Sequence, residues 1–244
     1  MKSWQLRLGI VLISLSVCGY LIHYIIFQDI RAIFFYLIGN LAFVFINVLL
    51  VTLIIQSLLV RSDRANKLLK LDTLIGIFFT ELGTWLVWKI SSLDKRMELM
   101  RYLKPSYEWG GKDYRFAIAK LREKGLDIQI TTEDLIEIKS ALAGKRDFIL
   151  GLLENQNLVE HQEFTQLLLA VFHVSDELNY RPDLDVLPQS DISHLIADLE
   201  RVYPLLVREW LRYLDHLRVD HPYLYSLAIR TNPMDPDASA IVKE

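Results

Sequence analysis

The chain carries a single cysteine, Cys18, and it falls inside an apolar run. An intramolecular disulfide is therefore excluded, and thiol catalysis is excluded in practice. Glycine is sparse, and none of it makes a phosphate-cradling loop. Gly110-Gly111 stands alone, without Walker or dinucleotide spacing, and no Gly-x-Ser-x-Gly nucleophile elbow occurs. The formal net charge of -3 leaves no basic excess, so a nucleic-acid partner is not expected. No cofactor is expected either. Strand signals are scarce from Ser91 onward, where the periodicity is helical. The absence with most consequence is charge: between Leu8 and Val60 only Asp29 and Arg31 are formally charged.

That stretch reads as two apolar runs, Leu8–Phe27 and Ala32–Val60, separated by Gln28-Asp29-Ile30-Arg31. Each reaches the ~20 residues a helix needs to cross a ~30 Å hydrocarbon core. So short a connection predicts a tight antiparallel hairpin. A cleavable signal peptide is not expected, because the first run is too long. Leu15-Ser16-Val17-Cys18 is a poor lipoprotein box, because Val17 is bulky. Lys2 and Arg7 precede the first span, and Arg61, Arg64, Lys67 and Lys70 follow the second. The positive-inside rule then puts both termini in the cytoplasm of a cell (inner) membrane protein.

His23, beside Tyr24 and near Tyr20, reads as an interfacial residue; an intramembrane relay or ligand role is the alternative. The second span, about 29 residues or ~43 Å, must tilt or protrude. Asn40 and Asn47 lie seven apart, nearly on one helical face, with Gly39 beside the first. Such residues mark helix–helix packing, or a pore lining if the protein is an oligomer.

Leu74–Ile90 is apolar yet contains Glu81 and Lys89. It reads as an interfacial or bundle-packed helix, with Trp85 and Trp88 at headgroup depth and Glu81 near water; a third span is the alternative. Beyond it the sequence predicts a short charged helix over Leu93–Leu103, a turn at Tyr107–Gly111, and a basic amphipathic helix over Lys112–Lys124 closed by Gly125. Helices follow over Leu135–Ala143 after Thr132-Glu133-Asp134, over Arg146–Gln156 and over Glu160–Tyr180. The last and longest begins at Pro188-Gln189-Ser190-Asp191 and runs to about Arg230, interrupted by Pro204. Thr231–Glu244 reads as an ordered turn fading into a loose tail.

One constellation could carry chemistry. His173 with Glu177, and His194 with Asp198, are i, i+4 pairs that project together from a helix. Two such helices face to face could supply a four-ligand metal site. The plainer reading is surface charge pairing, because His194 and Asp198 share a stripe with Asp191, Arg201, Arg208, Arg212 and Asp215, opposite the apolar stripe. His161, His216 and His221 show no partner pattern.

Several stretches carry a family resemblance: Gly39-Asn40-Leu41-Ala42-Phe43, Val48–Ile55, Ile75–Thr84, Val171-Phe172-His173 and His221–Pro233. Together they resemble an uncharacterised family of prokaryotic integral membrane proteins. Members commonly have an acid where this chain has Asn40 and a proline at Phe45, so a charge-dependent role at Asn40 does not carry over. The resemblance implies no activity. It singles out Glu81, His173 and the segment holding Tyr223, Tyr225, Arg230 and Asn232, the last as a partner-binding or structural motif.

The expected fold is all-α: a two-span transmembrane hairpin (1–60), a juxtamembrane basic segment with a membrane-associated amphipathic helix (61–91), a cytoplasmic helical bundle (92–232) and a flexible tail (233–244). The expected function is a non-enzymatic, membrane-anchored scaffold or sensor. It self-associates through its transmembrane helices as a homo-oligomer and presents the helical domain to a cytoplasmic or membrane protein partner. An oligomeric ion channel or transport subunit is the first alternative, and a metal-dependent membrane enzyme the second.

Overall fold

The computed structural model describes residues 3–95, 103–123, 127–156, 158 and 161–242, with the side chains of 3, 5, 60–69, 122 and 123 excepted. The side chains of Arg61, Arg64 and Lys67, Lys2, and Gly125 lie outside the described residues. No strand occurs among the described residues; one antiparallel bridge pairs Asp94 with Ile128. The chain divides into two compact units, Met1–Ala65 and Asn66–Glu244.

The first unit contains α1 (Ser3–Phe27) and the start of α2 (Ile30–Phe78). Two residues suffice for the reversal. Gln28 adopts a left-handed φ of 48°, and its N–H closes on Tyr24 O at 2.9 Å. The Asp29 carboxylate then caps α2, accepting from the N–H groups of Arg31 and Ala32. This cap starts α2 at Ile30, two residues before the apolar run read from the sequence. Leu6–Phe27 and Ile30–Leu59 are long and apolar enough to cross a membrane, and no part of their most apolar windows is buried.

The sequence separates the second apolar run from the one at Leu74–Ile90, but the helix does not stop between them. α2 continues to Phe78, passes through a π turn at Phe79–Gly83, and resumes as α3 (Thr84–Ser92). The extra residue in a π turn shifts the face that follows it. Phe78, Phe79, Leu82, Leu86, Val87 and Ile90 are all buried in the core of the second unit. Gly83 sits where the two rings fold back: a Cβ there would stand 2.6 Å from Phe79 and 2.7 Å from Phe78. By length and composition Lys70–Ser92 would also cross a membrane, but half of its apolar window is buried within the protein.

The rest of the second unit is α4 (Gly111–Glu123), α5 (Thr132–Ala143), α6 (Arg146–Leu153), α7 (Gln162–Asn179), α8 (Gln189–Asp220) and α9 (Pro222–Arg230). The long α8 is its axis: α3, α4, α7 and α9 all pack on it. Its stripe Leu195, Leu199, Val202, Leu206, Trp210, Leu214 and Leu217 is buried. Pro204 lies within this helix without ending it.

Three expectations change. Leu93–Lys95 is not the start of a charged helix: Lys95 N–H pairs with Asp127 O, Gln129 N–H with Leu93 O, and the Asp94 carboxylate takes the Asp127 N–H. The pairing with residues 127–129 takes up backbone groups that a helix beginning at Leu93 would use; residues 96–102 lie outside the described residues. The helix expected to reach Arg230 breaks at His221, because Pro222 lacks an N–H and restricts the residue before it. The segment after Thr231, read as an ordered turn fading into a loose tail, is held further along than expected: Met234 is buried, Asp235 pairs with Lys104 at 2.8 Å, and Ser239 N–H reaches Arg230 O.

Candidate functional site

α7 begins where His161 turns its Nδ1 to accept the Phe164 N–H at 3.1 Å. Burial lowers the His161 pKa, which suits an imidazole acting as an acceptor. From there Leu167, Leu168, Val171, Val174 and Leu178 turn inward, which leaves His173 and Glu177 on the rim facing α8. α8 presents His194, Asp198 and Arg201 along one edge, three to four residues apart.

The two i, i+4 pairs meet. His173 Nε2 lies 3.5 Å from Asp198 Oδ2 and 3.9 Å from Glu177 Oε1. His194 Nε2 lies 3.4 Å from Asp198 Oδ2 and 3.6 Å from Glu177 Oε2. The exposures grade across the site. The imidazoles are 46% and 51% exposed, Glu177 is 26%, and Asp198 is 1%. The solvent-face reading of Asp198 is therefore corrected. A helix packed on several sides has no fully solvated face, and α7 covers the polar edge of α8.

Arginines hold the acids in place. Arg201 Nη1 donates to Asp198 Oδ1 at 2.7 Å, while Asp198 Oδ2 is buried without a hydrogen bond. Arg181 donates to Glu177 Oε2 at 2.7 Å and grips both oxygens of Asp191 at 2.6 and 2.7 Å. Hydrogen bonds from Arg181 hold the carboxyls of Glu177 and Asp191 below their usual range. Glu177, His194 and Asp198 each offer one donor atom, all within 4.8 Å of one another, and could hold a metal ion. Sequence reasoning missed Arg181 and Arg201 as members of the site, although both stand at i+4 or i+3 from a site acid.

The other singled-out residues fall elsewhere. Gly39, Asn40 and Asn47 are exposed on α2. His23 is half-buried against Phe27 and lines a cleft of about 350 Å³ with Ser16, Gly19, Tyr20, Ile33 and Tyr36. Lys70 is exposed, Glu81 is exposed and paired with Lys145 at 2.7 Å, Trp85 is half-buried against the core, and Trp88 is exposed. Lys89, unexpectedly, is buried between Asp134 and Glu137 of α5.

The Tyr223–Asn232 motif divides. Tyr223 is exposed, whereas Tyr225 is buried, with its hydroxyl 3.0 Å from that of Tyr114 and donating to Ser106 O. Arg230 donates to Ala240 O, and Asn232 Oδ1 accepts the Met234 N–H. Much of this motif ties down the segments on either side of it.

Residues 67–230 match the family described as the C-terminal helical domain of the uncharacterized protein MJ1433, and residues 1–59 match its N-terminal helical domain. The uncharacterized protein MJ1433 of Methanocaldococcus jannaschii is 44% identical over 243 residues, covering 100% of this chain and 98% of that protein. No solved structure matches the chain.

Proposed function

The chain belongs to the family of the MJ1433 N- and C-terminal helical domains, and on that footing we propose that it is a membrane-anchored, non-enzymatic sensor or scaffold. In this reading α1 and the first half of α2 are two spans of a cell membrane hairpin. Both termini are cytoplasmic, and the unit Asn66–Glu244 is the module that recognises a ligand or protein partner. The observation that carries it is the contrast between the units. The most apolar windows of the two N-terminal helices bury nothing within the protein, while Asn66–Glu244 has a full core of its own. A helix apolar all round and uncovered by protein is at home in lipid and would aggregate in water.

Two spans are favoured over three, because the apolar side chains of Lys70–Ser92 serve the core of the helical unit and Glu81 is paired with Lys145. Gly39, Asn40 and Asn47, exposed on α2, are the proposed contacts of self-association. The test is cysteine labelling in intact cells, using Ser239→Cys in a Cys18→Ser background. The proposal expects labelling by a membrane-impermeant maleimide only after permeabilisation. Labelling from outside would overturn the cytoplasmic C-terminus and support three spans, and release of the protein by alkaline carbonate would remove the anchor altogether.

A further inference from the structure

Five donor atoms on four side chains of α7 and α8, both Glu177 oxygens among them, face one another at separations of 3.4, 3.5, 3.6 and 3.9 Å. These are too long for imidazole–carboxylate hydrogen bonds, which close to roughly 2.7–3.2 Å. They are close to another distance. Donors bound to zinc at ~2.0–2.1 Å with tetrahedral angles stand about 3.3–3.4 Å from each other. The two separations at Asp198 Oδ2, 3.4 and 3.5 Å, fit side chains that share an ion better than side chains that bond directly.

A second observation points the same way. Asp198 is 1% exposed, and its Oδ2 has no hydrogen bond, although Arg201 satisfies Oδ1 at 2.7 Å. A buried carboxylate oxygen left unpaired is costly, and this one faces both imidazoles. Arg201 on Asp198, and Arg181 on Glu177, stand where outer partners would orient carboxylates that bind a metal. Charge also leaves room for a cation. Glu177, Asp191 and Asp198 face Arg181 and Arg201, three formal negative charges against two positive. Two imidazole nitrogens beside carboxylates exclude a preference for calcium or magnesium, which take oxygen, and suit a first-row transition ion.

We propose that Glu177, His194 and Asp198, with His173 as the fourth ligand, bind one divalent ion of the zinc class. This goes beyond the membrane-anchor reading and does not rest on it, because all four residues lie within the Asn66–Glu244 unit. A bound ion links α7 to α8 through side chains on both, so it stabilises the folded unit and makes its unfolding temperature metal-dependent.

The test is zinc titration of the metal-stripped, detergent-solubilised full chain by calorimetry, with elemental analysis of the washed complex. One zinc per chain is expected, with binding undiminished by excess magnesium and a raised unfolding temperature that a chelator reverses. His194→Ala, at an exposed position, should weaken binding by about tenfold or more without changing helix content. Asp198→Asn should do the same if it folds. His221→Ala, outside the site, should leave binding unchanged. Absence of zinc binding, equal binding by His194→Ala, or displacement by magnesium would each overturn the proposal. Zinc bound by a protein that carbonate releases from membranes would leave this site standing and sink only the anchor.

Discussion

Glu209 is buried on α8 and accepts a hydrogen bond from Arg212 Nη1 at 2.9 Å. Burial pushes its carboxyl from the usual 4.5 up to about 7, with Arg208 opposing. The native state therefore keeps a proton that the unfolded chain gives up above pH 4.5. Stability falls as pH rises from there through 7, by an upper limit of about 3 kcal/mol, part of which the Arg212 pair offsets. Glu209→Gln should raise the unfolding free energy by about 2 kcal/mol at pH 8 and by under about 1 kcal/mol at pH 5, read from denaturant melts. Gly83 makes a steric prediction of the same kind. Gly83→Ala drives a methyl into Phe78 and Phe79 and should cost about 1–3 kcal/mol at any pH.

Between elements, the join of α3 to α5 is ionic. Lys89 Nζ reaches Asp134 at 2.8 Å and also binds Glu137, while Asp134 closes a capping box with Thr131. Burial alone would raise the Asp134 pKa, but the bonds from Lys89 and Thr131 outweigh it and lower it below 3.8. Its contribution is thus present above pH 3.8 and lost as pH falls through the lowered value. Lys89→Met should cost about 1–3 kcal/mol at pH 7, less than a fully buried pair because Glu137 is half exposed. The difference should shrink at pH 3. On α2, Asn47→Leu should weaken self-association in detergent by about 0.6–2 kcal/mol, measured by sedimentation equilibrium.

For the whole molecule, the prediction concerns the independence of the two units. Ile46 is exposed midway along the apolar part of α2. Ile46→Lys should cost membrane insertion about 2.5–3.5 kcal/mol. The fraction retained after carbonate extraction should drop, while thermal unfolding of the helical unit stays unchanged. A loss of both together would mean that the helical unit depends on the hairpin for its fold.

Much of this was legible from spacing alone. The two apolar helices follow from uncharged runs of span length, and α4, α5, α7 and the start of α8 follow from 3.6-residue periodicity with Thr, Asp and Pro at their ends. The pairs His173–Glu177 and His194–Asp198 were visible for the same reason, since residues four apart share a helix face. Periodicity, however, describes one helix at a time. It assigned Asp198 to solvent because its stripe is polar, and only the packing of α7 over that edge buried it between two imidazoles. It separated Ala32–Val60 from Leu74–Ile90 because charges intervene, whereas α2 runs on through that stretch as one helix to Phe78, since backbone hydrogen bonds need no apolar pattern. It gave His161 and Lys89 no role, because a cap on Phe164 N–H and an ion pair to α5 depend on where a chain turns in space. Local chemistry determined which residues are helical and which faces are apolar; the tertiary structure decided which polar residues meet, because meeting depends on how separate helices are docked.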